Sequence, residues 1–168
     1  MDLTDLQSLE KWIELEKDIH AYSGLDASVF NTDGIRITGH KKWANELCPV
    51  IKANPKGQTF ICSAAHQNIA AQAQKTKKPV IDECDAGMVK IVVPVFLKDQ
   101  FIGAVGGCGL LLGGDGEIET FLLGKTLEME ECDLEKLAKK VGSLTEQQAE
   151  EICTLISGRW DKIVSNSL

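Results

Sequence analysis

Six cysteines are the side chains of this 168-residue sequence best suited to bind a metal or to react. No two of them are spaced as a Cys-x-x-Cys pair, so the spacing excludes a zinc ribbon and a thioredoxin-type motif. An even number of cysteines would favour disulfides in an exported protein, but the acidic, amphipathic N-terminus contains no apolar signal region. We therefore expect reduced thiols in a cytoplasmic protein. The cysteines lie at positions 48, 62, 84, 108, 132 and 153.

Four of these cysteines fall near a predicted β-hairpin, and His66 follows Cys62 by one helical turn. Thiolates and imidazole bind zinc, and thiolates also hold iron–sulfur clusters. The scattered spacing equally fits small apolar side chains that line a pocket, and redox sensing is a third reading. Cys132 and Cys153 lie on predicted amphipathic helices, where we expect them to pack. The candidate ligands for zinc or a cluster are Cys48, Cys62, His66, Cys84 and Cys108.

The stretch Cys84–Leu112 organises the predicted fold. Residues 88–97 are mostly β-branched and apolar, a polar break follows at 98–100, and a Gly-rich apolar run continues over 101–112. This pattern predicts a hairpin of two buried strands. Because glycines in a central strand leave space beside the sheet, we predict that the hairpin forms the floor of a small-molecule pocket. The candidate ligand-binding residues are Cys62, His66, Cys84, Gly87, Pro94, Gly103 and Gly107.

Segments on both sides of the hairpin predict the remaining elements. A charged amphipathic helix is expected to begin at a Thr4–Gln7 capping box and to end at Gly24. Strands are predicted at 27–31 and 35–38 around an Asp-Gly turn, and the Ala-rich segment Gln58–Lys75 predicts a long helix. The sequence thus predicts one α+β domain, with an antiparallel sheet of about five strands flanked by helices. Further helices are predicted at 41–53, 117–129 and 133–142 and from 145 onward.

Composition narrows the class of protein. The chain is 43% apolar and 26% charged with a net charge of -7, which is typical of a soluble globular domain, here spanning 1–168. No Lys/Arg stripe favours direct nucleic-acid binding, and no run of about 20 apolar residues predicts a membrane helix. The Gly-rich loop at 113–116 lacks the Lys-Ser/Thr of a phosphate loop, and no serine-nucleophile, HExxH or Rossmann motif occurs. We therefore expect a protein that is not an enzyme.

Several short pieces, taken in order and spacing, resemble one known family. They are Leu6-Gln7-x-Leu9, Ser23-Gly24, Asn31-Thr32-Asp33-Gly34, Cys48, Cys62, Cys84-x-Ala86-Gly87, Val93-Pro94-Val95 and Ile102-Gly103. Through them residues 3–112 resemble the PocR ligand-binding sensory domain, a PAS/GAF-like module of bacterial and archaeal regulators, and 113–168 add C-terminal helices.

The resemblance implies a sensory role with a small-molecule ligand, for which short diols and hydrocarbon derivatives are precedents. It also implies an output protein through which the domain acts in signal transduction or transcriptional control. We expect the terminal helices to carry the change to that partner or to a second subunit of a homodimer. The family often has Gly-Gln where this sequence has Gly106-Gly107-Cys108-Gly109, which adds a thiol. A sensor whose cysteines bind a metal or an iron–sulfur cluster is the alternative.

Overall fold

The computed structural model describes residues 1–167 and shows one α+β domain, which confirms the predicted class. Its helices are α1 Leu3–Leu6, α2 Leu9–Ser23, α3 Leu47–Ala53, α4 Pro55–Gly57, α5 Ala64–Thr76, α6 Thr120–Leu127, α7 Glu131–Ala138 and α8 Glu146–Ser167, with a π-helical segment at Gln58–Ser63. Its strands are β1 Asp26–Phe30, β2 Val80–Glu83, β3 Val89–Leu97, β4 Gln100–Cys108, β5 Leu111–Leu112 and β6 Ser143–Leu144. Over residues 1–167, no helix is long and apolar enough to span a bilayer.

Four strands form an antiparallel sheet in the order β1-β4-β3-β2. The predicted hairpin is confirmed as β3 and β4, which are joined by a tight turn at Lys98 and Asp99, both with positive φ (48° and 66°). Almost every residue of β3 is buried because helices cover both faces of the sheet at this strand. The short parallel pair β5 and β6 forms a second sheet.

The prediction of a strand at 35–38 is wrong. Arg36 makes only an isolated bridge to Phe30, so the main sheet has four strands rather than about five. The side-chain oxygen of Asn31 accepts hydrogen bonds at 3.0 Å from the backbone N–H groups of Asp33 and Ile35. This local turn satisfies backbone groups that would otherwise pair along a sheet edge.

Glu16 on α2 holds the segment after this turn. Its buried carboxylate accepts hydrogen bonds from the Val29 backbone N–H (3.0 Å) and from the Thr38 hydroxyl (2.7 and 2.9 Å). The Arg36 guanidinium lies 4.0 Å away. Burial raises the pKa of Glu16, and the hydrogen bonds from Thr38 and Val29 oppose that rise. One carboxylate therefore connects α2, β1 and the loop that follows β1.

The sheet separates two helical layers. Because side chains alternate along a strand, Ile91 and Val93 of β3 pack on one face with α2 and α8 in the largest hydrophobic core. Val92 packs on the other face with Ile69 and Ala73 of α5. Residues of β3 thus contact one helical layer at odd positions and the other at even positions.

The glycines of β4 pack closely against neighbouring chain segments instead of opening space, which corrects the reason predicted for them. A Cβ on Gly103 would overlap a backbone carbonyl oxygen of β1, and one on Gly106 would overlap a carbonyl oxygen of β3. A Cβ on Gly107 would lie 2.9 Å from Cβ of Leu25. These positions require glycine because backbone or core atoms approach the strand there.

Capping residues set the ends of the helices. The main N-terminal helix begins at Leu9 rather than at Thr4, with the Ser8 hydroxyl accepting from a backbone N–H of the first turn. Gly24 ends it as predicted, with φ 78° and an N–H bond to the His20 carbonyl. The helix predicted from 145 onward is α8, and a capping box of Thr145 with Gln148 precedes it.

The long middle helix begins earlier than predicted and is not uniformly α-helical. The Asn54 side chain accepts from the N–H groups of Lys56 and Gly57, so 54–57 forms a capped helical turn. The π-helical segment Gln58–Ser63 follows and continues into α5. A π-helical turn inserts an extra residue and often occurs at functional sites. The helix predicted over 41–53 forms only from Leu47.

Candidate ligand-binding site

A cavity of about 410 Å³ lies between the sheet and the helical layer made of α3, the π-helical segment and α5. This volume falls within the range of small-molecule pockets, roughly 300–1,000 Å³. Apolar side chains of both layers line it, among them Phe30, Ile51, Ile61 and Met88. Its charged lining includes Asp26, Arg36, Lys52 and Lys90.

One row of residues across the sheet supplies the polar part of the cavity floor. Strand pairing places Asp26 of β1 opposite Cys108 of β4, and Cys108 opposite Lys90 of β3. All three residues line the cavity. Since adjacent strands are about 4.8 Å apart, the backbones of Asp26 and Lys90 are separated by roughly 10 Å. Both residues are buried, with exposed fractions of 3% and 8%, so a carboxylate and an ammonium group share one enclosed space.

Arg36 comes from the loop after β1 and lies beside Asp26. Its Nη2 donates to the backbone carbonyls of Ala27 (3.1 Å) and His40 (2.7 Å), which fixes the guanidinium. Its Nη1 lies 3.9 Å from Oδ1 of Asp26, which is an ion-pair distance but too long for a hydrogen bond. Both atoms are buried and have no hydrogen-bond partner among the described residues. The wall thus contains one unmet donor and one unmet acceptor.

His66 lies in the first turn of α5 and faces the sheet. Its ring stacks on that of Phe30, with the centroids 3.8 Å apart. Burial, followed by the positive charges of Lys90 and then Lys52, lowers the pKa of His66 to about 4. The imidazole is therefore neutral near pH 7. Its Nδ1 is buried without a hydrogen-bond partner in residues 1–167.

Asn45 positions the wall formed by α3. Its Oδ1 accepts from the N–H groups of Leu47 (2.8 Å) and Cys48 (2.7 Å) at the start of that helix. Its Nδ2 donates to the Gly109 carbonyl at 2.6 Å, just after β4. These bonds connect the helix to the end of the sheet and place the Cys48 sulfur 3.8 Å from the Met88 sulfur.

Three of the cavity thiols, those of Cys48, Cys62 and Cys84, are held in their neutral form. Burial is the main cause that raises the pKa of Cys48 to about 12 and of Cys62 to about 11, and burial also raises the pKa of Cys84. Metal ligation requires the thiolate. Within residues 1–167 no group of three or more His, Cys, Asp or Glu side chains is arranged to hold a metal ion. The zinc or cluster reading therefore stays a prediction that this geometry does not support.

The cysteines outside the cavity differ from each other. Cys153 is buried in the core beside α2 and β3, as the helical pattern predicted. Cys132 is exposed near the start of α7, so its predicted packing role is wrong. All six thiols are free.

The structure brings together one part of the predicted site and excludes another part from the cavity. The predicted site residues that line the cavity are Cys48, Cys62, His66, Cys84 and Cys108. Four predicted contacts do not line it: Gly87, Pro94, Gly103 and Gly107. Gly87 instead forms the turn between β2 and β3, where its φ of 93° and the nearby carbonyl oxygen of Glu117 both require glycine.

Sequence reasoning did not identify the charged residues of the wall as site residues, and three of them differ in the sequence signal that they carry. Lys90 had a usable signal, because it is the one charged residue in the apolar run 88–97 and buried lysines are rare. Asp26 had a weaker signal as a carboxylate next to the predicted strand at 27–31. Arg36 had none, because the segment that contains it was predicted to be a strand and instead forms a loop.

An α+β domain in which a small, mostly apolar cavity lies between a sheet and a helical layer is typical of proteins that bind small molecules. The chain belongs to the family described as the sensory domain found in PocR, whose family model matches residues 2–168. This match includes α6 to α8 in addition to the 3–112 segment that carries the resemblance. It is a family of sensory rather than catalytic domains. Comparisons with curated proteins and with solved structures found no match.

Proposed function

We propose that this chain is a cytoplasmic sensory domain that binds a small metabolite between its sheet and α5 and catalyses no reaction. It passes the occupied state to an output protein, or to a second copy of itself, in signal transduction or transcriptional control. The observation that carries this proposal is the cavity itself, together with three of its lining residues that each hold a buried polar atom without a hydrogen-bond partner in residues 1–167. These atoms are Asp26 Oδ1, Arg36 Nη1 and His66 Nδ1.

The lining favours a ligand that combines hydrocarbon with hydroxyl groups. A buried polar atom without a partner costs about 1–3 kcal/mol, so a ligand group that satisfies it gains affinity. A ligand hydroxyl can donate to Asp26 and accept from Arg36, which meets both needs with one group. The aliphatic and thiol side chains supply the apolar surface that a short carbon skeleton requires.

The same residues argue against an activated catalytic pair. Cys62 and His66 are one helical turn apart, but burial raises the pKa of the thiol and lowers that of the imidazole. Both groups are neutral near pH 7, whereas thiol catalysis uses a thiolate activated by a nearby cation or base. Neutral thiols instead behave as small apolar contacts for a ligand.

Signal output in this proposal depends on the sheet, because one face of it lines the cavity and the other face packs against α2 and α8. Ligand contacts involve the even face of β3, while Ile91 and Val93 on its odd face pack with α2 and α8. A ligand that fits one spacing between the sheet and α5 better than another shifts the population toward that spacing. The π-helical segment carries Cys62 in the opposite wall, and its extra residue sets the register of α5.

The test compares ligand binding by the wild type with binding by a variant in which a larger side chain fills part of the cavity. Cys62→Met extends a longer apolar side chain from the wall, and Cys132→Met makes the same change at an exposed position outside the cavity. Short diols, alcohols and hydroxy acids are screened by thermal shift and native mass spectrometry against the wild type and both variants. We expect compounds that stabilise the wild type and Cys132→Met and that lose at least about tenfold in affinity for Cys62→Met.

Two results would overturn the proposal. One is a set of ligands whose affinity is the same for Cys62→Met and for the wild type, which would place binding elsewhere. The other is multiple-turnover conversion of a bound compound to product by the purified domain, which would show an enzyme. Melting curves of the two variants without ligand control for a folding defect.

A further inference from the structure

Lys90 is a buried cation without an anionic partner. Its exposed fraction is 8%, and across residues 1–167 no carboxylate oxygen lies within 4.0 Å of its ammonium nitrogen. Its Nζ lies 5.3 Å from the centroid of the Phe30 ring. That contact stabilises a cation by about 0.5–2 kcal/mol but does not neutralise its charge. A buried ammonium is costly unless it is paired, which makes Lys90 exceptional in this core.

The charges around the cavity do not supply the missing partner. Three cationic side chains line it, and its only lining carboxylates among the described residues are Asp26 and Asp33. Asp26 faces Arg36 at 3.9 Å and its backbone is two strands away from Lys90. Asp33 lies in the exposed turn after β1. The interior near Lys90 therefore has an excess of positive charge.

Lys52 adds to this excess at the α3 wall. It lines the cavity, and its ammonium nitrogen lies 5.8 Å from the centroid of the Trp43 ring. The positive charges of Lys52 and Lys90 both act on Cys62 and on His66. The two layers thus each contribute an ammonium group to the lining of the cavity.

We propose that the ligand of this domain is a small organic acid and that Lys90 binds its carboxylate. This inference rests on the proposed function, whose cavity it specifies. A carboxylate supplies both the charge and the acceptor that Lys90 lacks, in a charge-assisted hydrogen bond that is stronger than a neutral one. The separation of roughly 10 Å between the Lys90 and Asp26 backbones suits a short hydroxy acid, with its hydroxyl group at Asp26 and Arg36.

The experiment compares carboxylic acids with their primary amides, skeleton by skeleton. Each pair of compounds with three to six carbons is measured by calorimetry or ligand-observed NMR with the wild type, Lys90→Met, Lys90→Arg and Lys75→Met. Lys75 is exposed on α5, so its variant loses the same charge away from the cavity. We expect the wild type to prefer the acid of a binding pair by about 30-fold or more, which is the scale of a buried charge pair.

The variants separate a specific anchor from a general effect of net charge. Lys90→Met is expected to bind acid and amide with similar affinity, Lys90→Arg to keep the preference for the acid, and Lys75→Met to match the wild type. Lys90→Met is also expected to melt at a higher temperature, since it removes a buried unpaired charge. Binding of acids and amides with equal affinity by the wild type would overturn this inference and leave the sensor proposal standing. If neither the acid nor the amide of any compound pair binds the wild type, the result would count against this inference and against the sensor proposal.

Discussion

Acid should destabilise this domain through His66. The imidazole has a pKa lowered to about 4, against its usual value of 6.5, because burial and the charges of Lys90 and Lys52 disfavour its protonated form. Above pH 6.5 the ring is neutral in both the folded and the unfolded chain. As the pH falls below 6.5 the unfolded chain binds a proton at this position and the folded chain does not, so stability is lost.

The size of the effect follows from the two pKa values. Binding of one proton to the unfolded chain alone lowers the free energy of unfolding by about 2 kcal/mol between pH 7 and pH 5, and by about 3 kcal/mol by pH 4. With an exposed fraction of 6%, His66 has little solvent to screen this effect. A loss of this size is a substantial part of the roughly 5–15 kcal/mol that keeps a domain folded.

The assay is urea unfolding between pH 7 and pH 4 for the wild type, His66→Phe and Ile69→Val. His66→Phe keeps a ring against Phe30 but cannot titrate, so its stability advantage over the wild type should grow by about 2 kcal/mol from pH 7 to pH 5. Ile69→Val removes a buried methyl group on the same helix, costs about 1 kcal/mol, and should differ from the wild type by the same amount at every pH. A pH profile of His66→Phe parallel to that of the wild type would refute this account of the imidazole.

Three further outcomes are expected from other parts of the structure. Glu16→Ala removes the buried carboxylate and leaves the Val29 N–H and the Thr38 hydroxyl without their acceptor. It should lower the free energy of unfolding by about 3–5 kcal/mol in urea melts, against roughly 0.5 kcal/mol for the exposed control Glu14→Ala. Equal losses for the two variants would contradict a structural role of the Glu16 hydrogen bonds. Gly106→Ala adds a Cβ against β3 and should lower the free energy of unfolding by about 3 kcal/mol. Gly158→Ala in α8, where the added Cβ meets open space, should raise the free energy of unfolding by up to about 1 kcal/mol. Iodoacetamide mapping at pH 7.5 should modify the exposed Cys132 first and the half-buried Cys48 and Cys62, whose pKa values are raised, more slowly; a cavity thiol that reacts first would show an activated cysteine.

The sequence was most informative where local and long-range preferences agree. Strands β3 and β4 follow from a long β-branched run, a polar break and a second apolar run, and no helical pattern competes with them. Four cysteines and His66 were proposed as one set of candidate ligands because they fall near this hairpin, and all five line the cavity. The space that they share depends on helix placement, which a residue pattern does not specify.

Other features depend on contacts between distant segments. The Gly-rich pattern of β4 was interpreted as free space, whereas the glycines admit carbonyl oxygens of β1 and β3 and the side chain of Leu25. Sequence shows that a side chain is missing there but not which atoms take its place. Arg36 enters the wall because Glu16 and Asn31 hold a loop where a strand was predicted after the Asp-Gly turn. Such side-chain bonds to the backbone compete with strand pairing and carry no periodic signal.

The register of the sheet connects the candidate site with the surface through which the domain is proposed to signal. Lys90 faces the cavity, while the next residue, Ile91, packs in the core shared with α2 and α8. Those two helices also contact each other, and Arg159 of α8 pairs with Asp18 of α2. A ligand that draws the Lys90 ammonium into the cavity acts on a strand whose opposite face supports both helices. Close packing transmits such a shift because the interior has little free volume to absorb it. The pairing of α2 with α8 is therefore where occupancy of the cavity should first alter the outer surface.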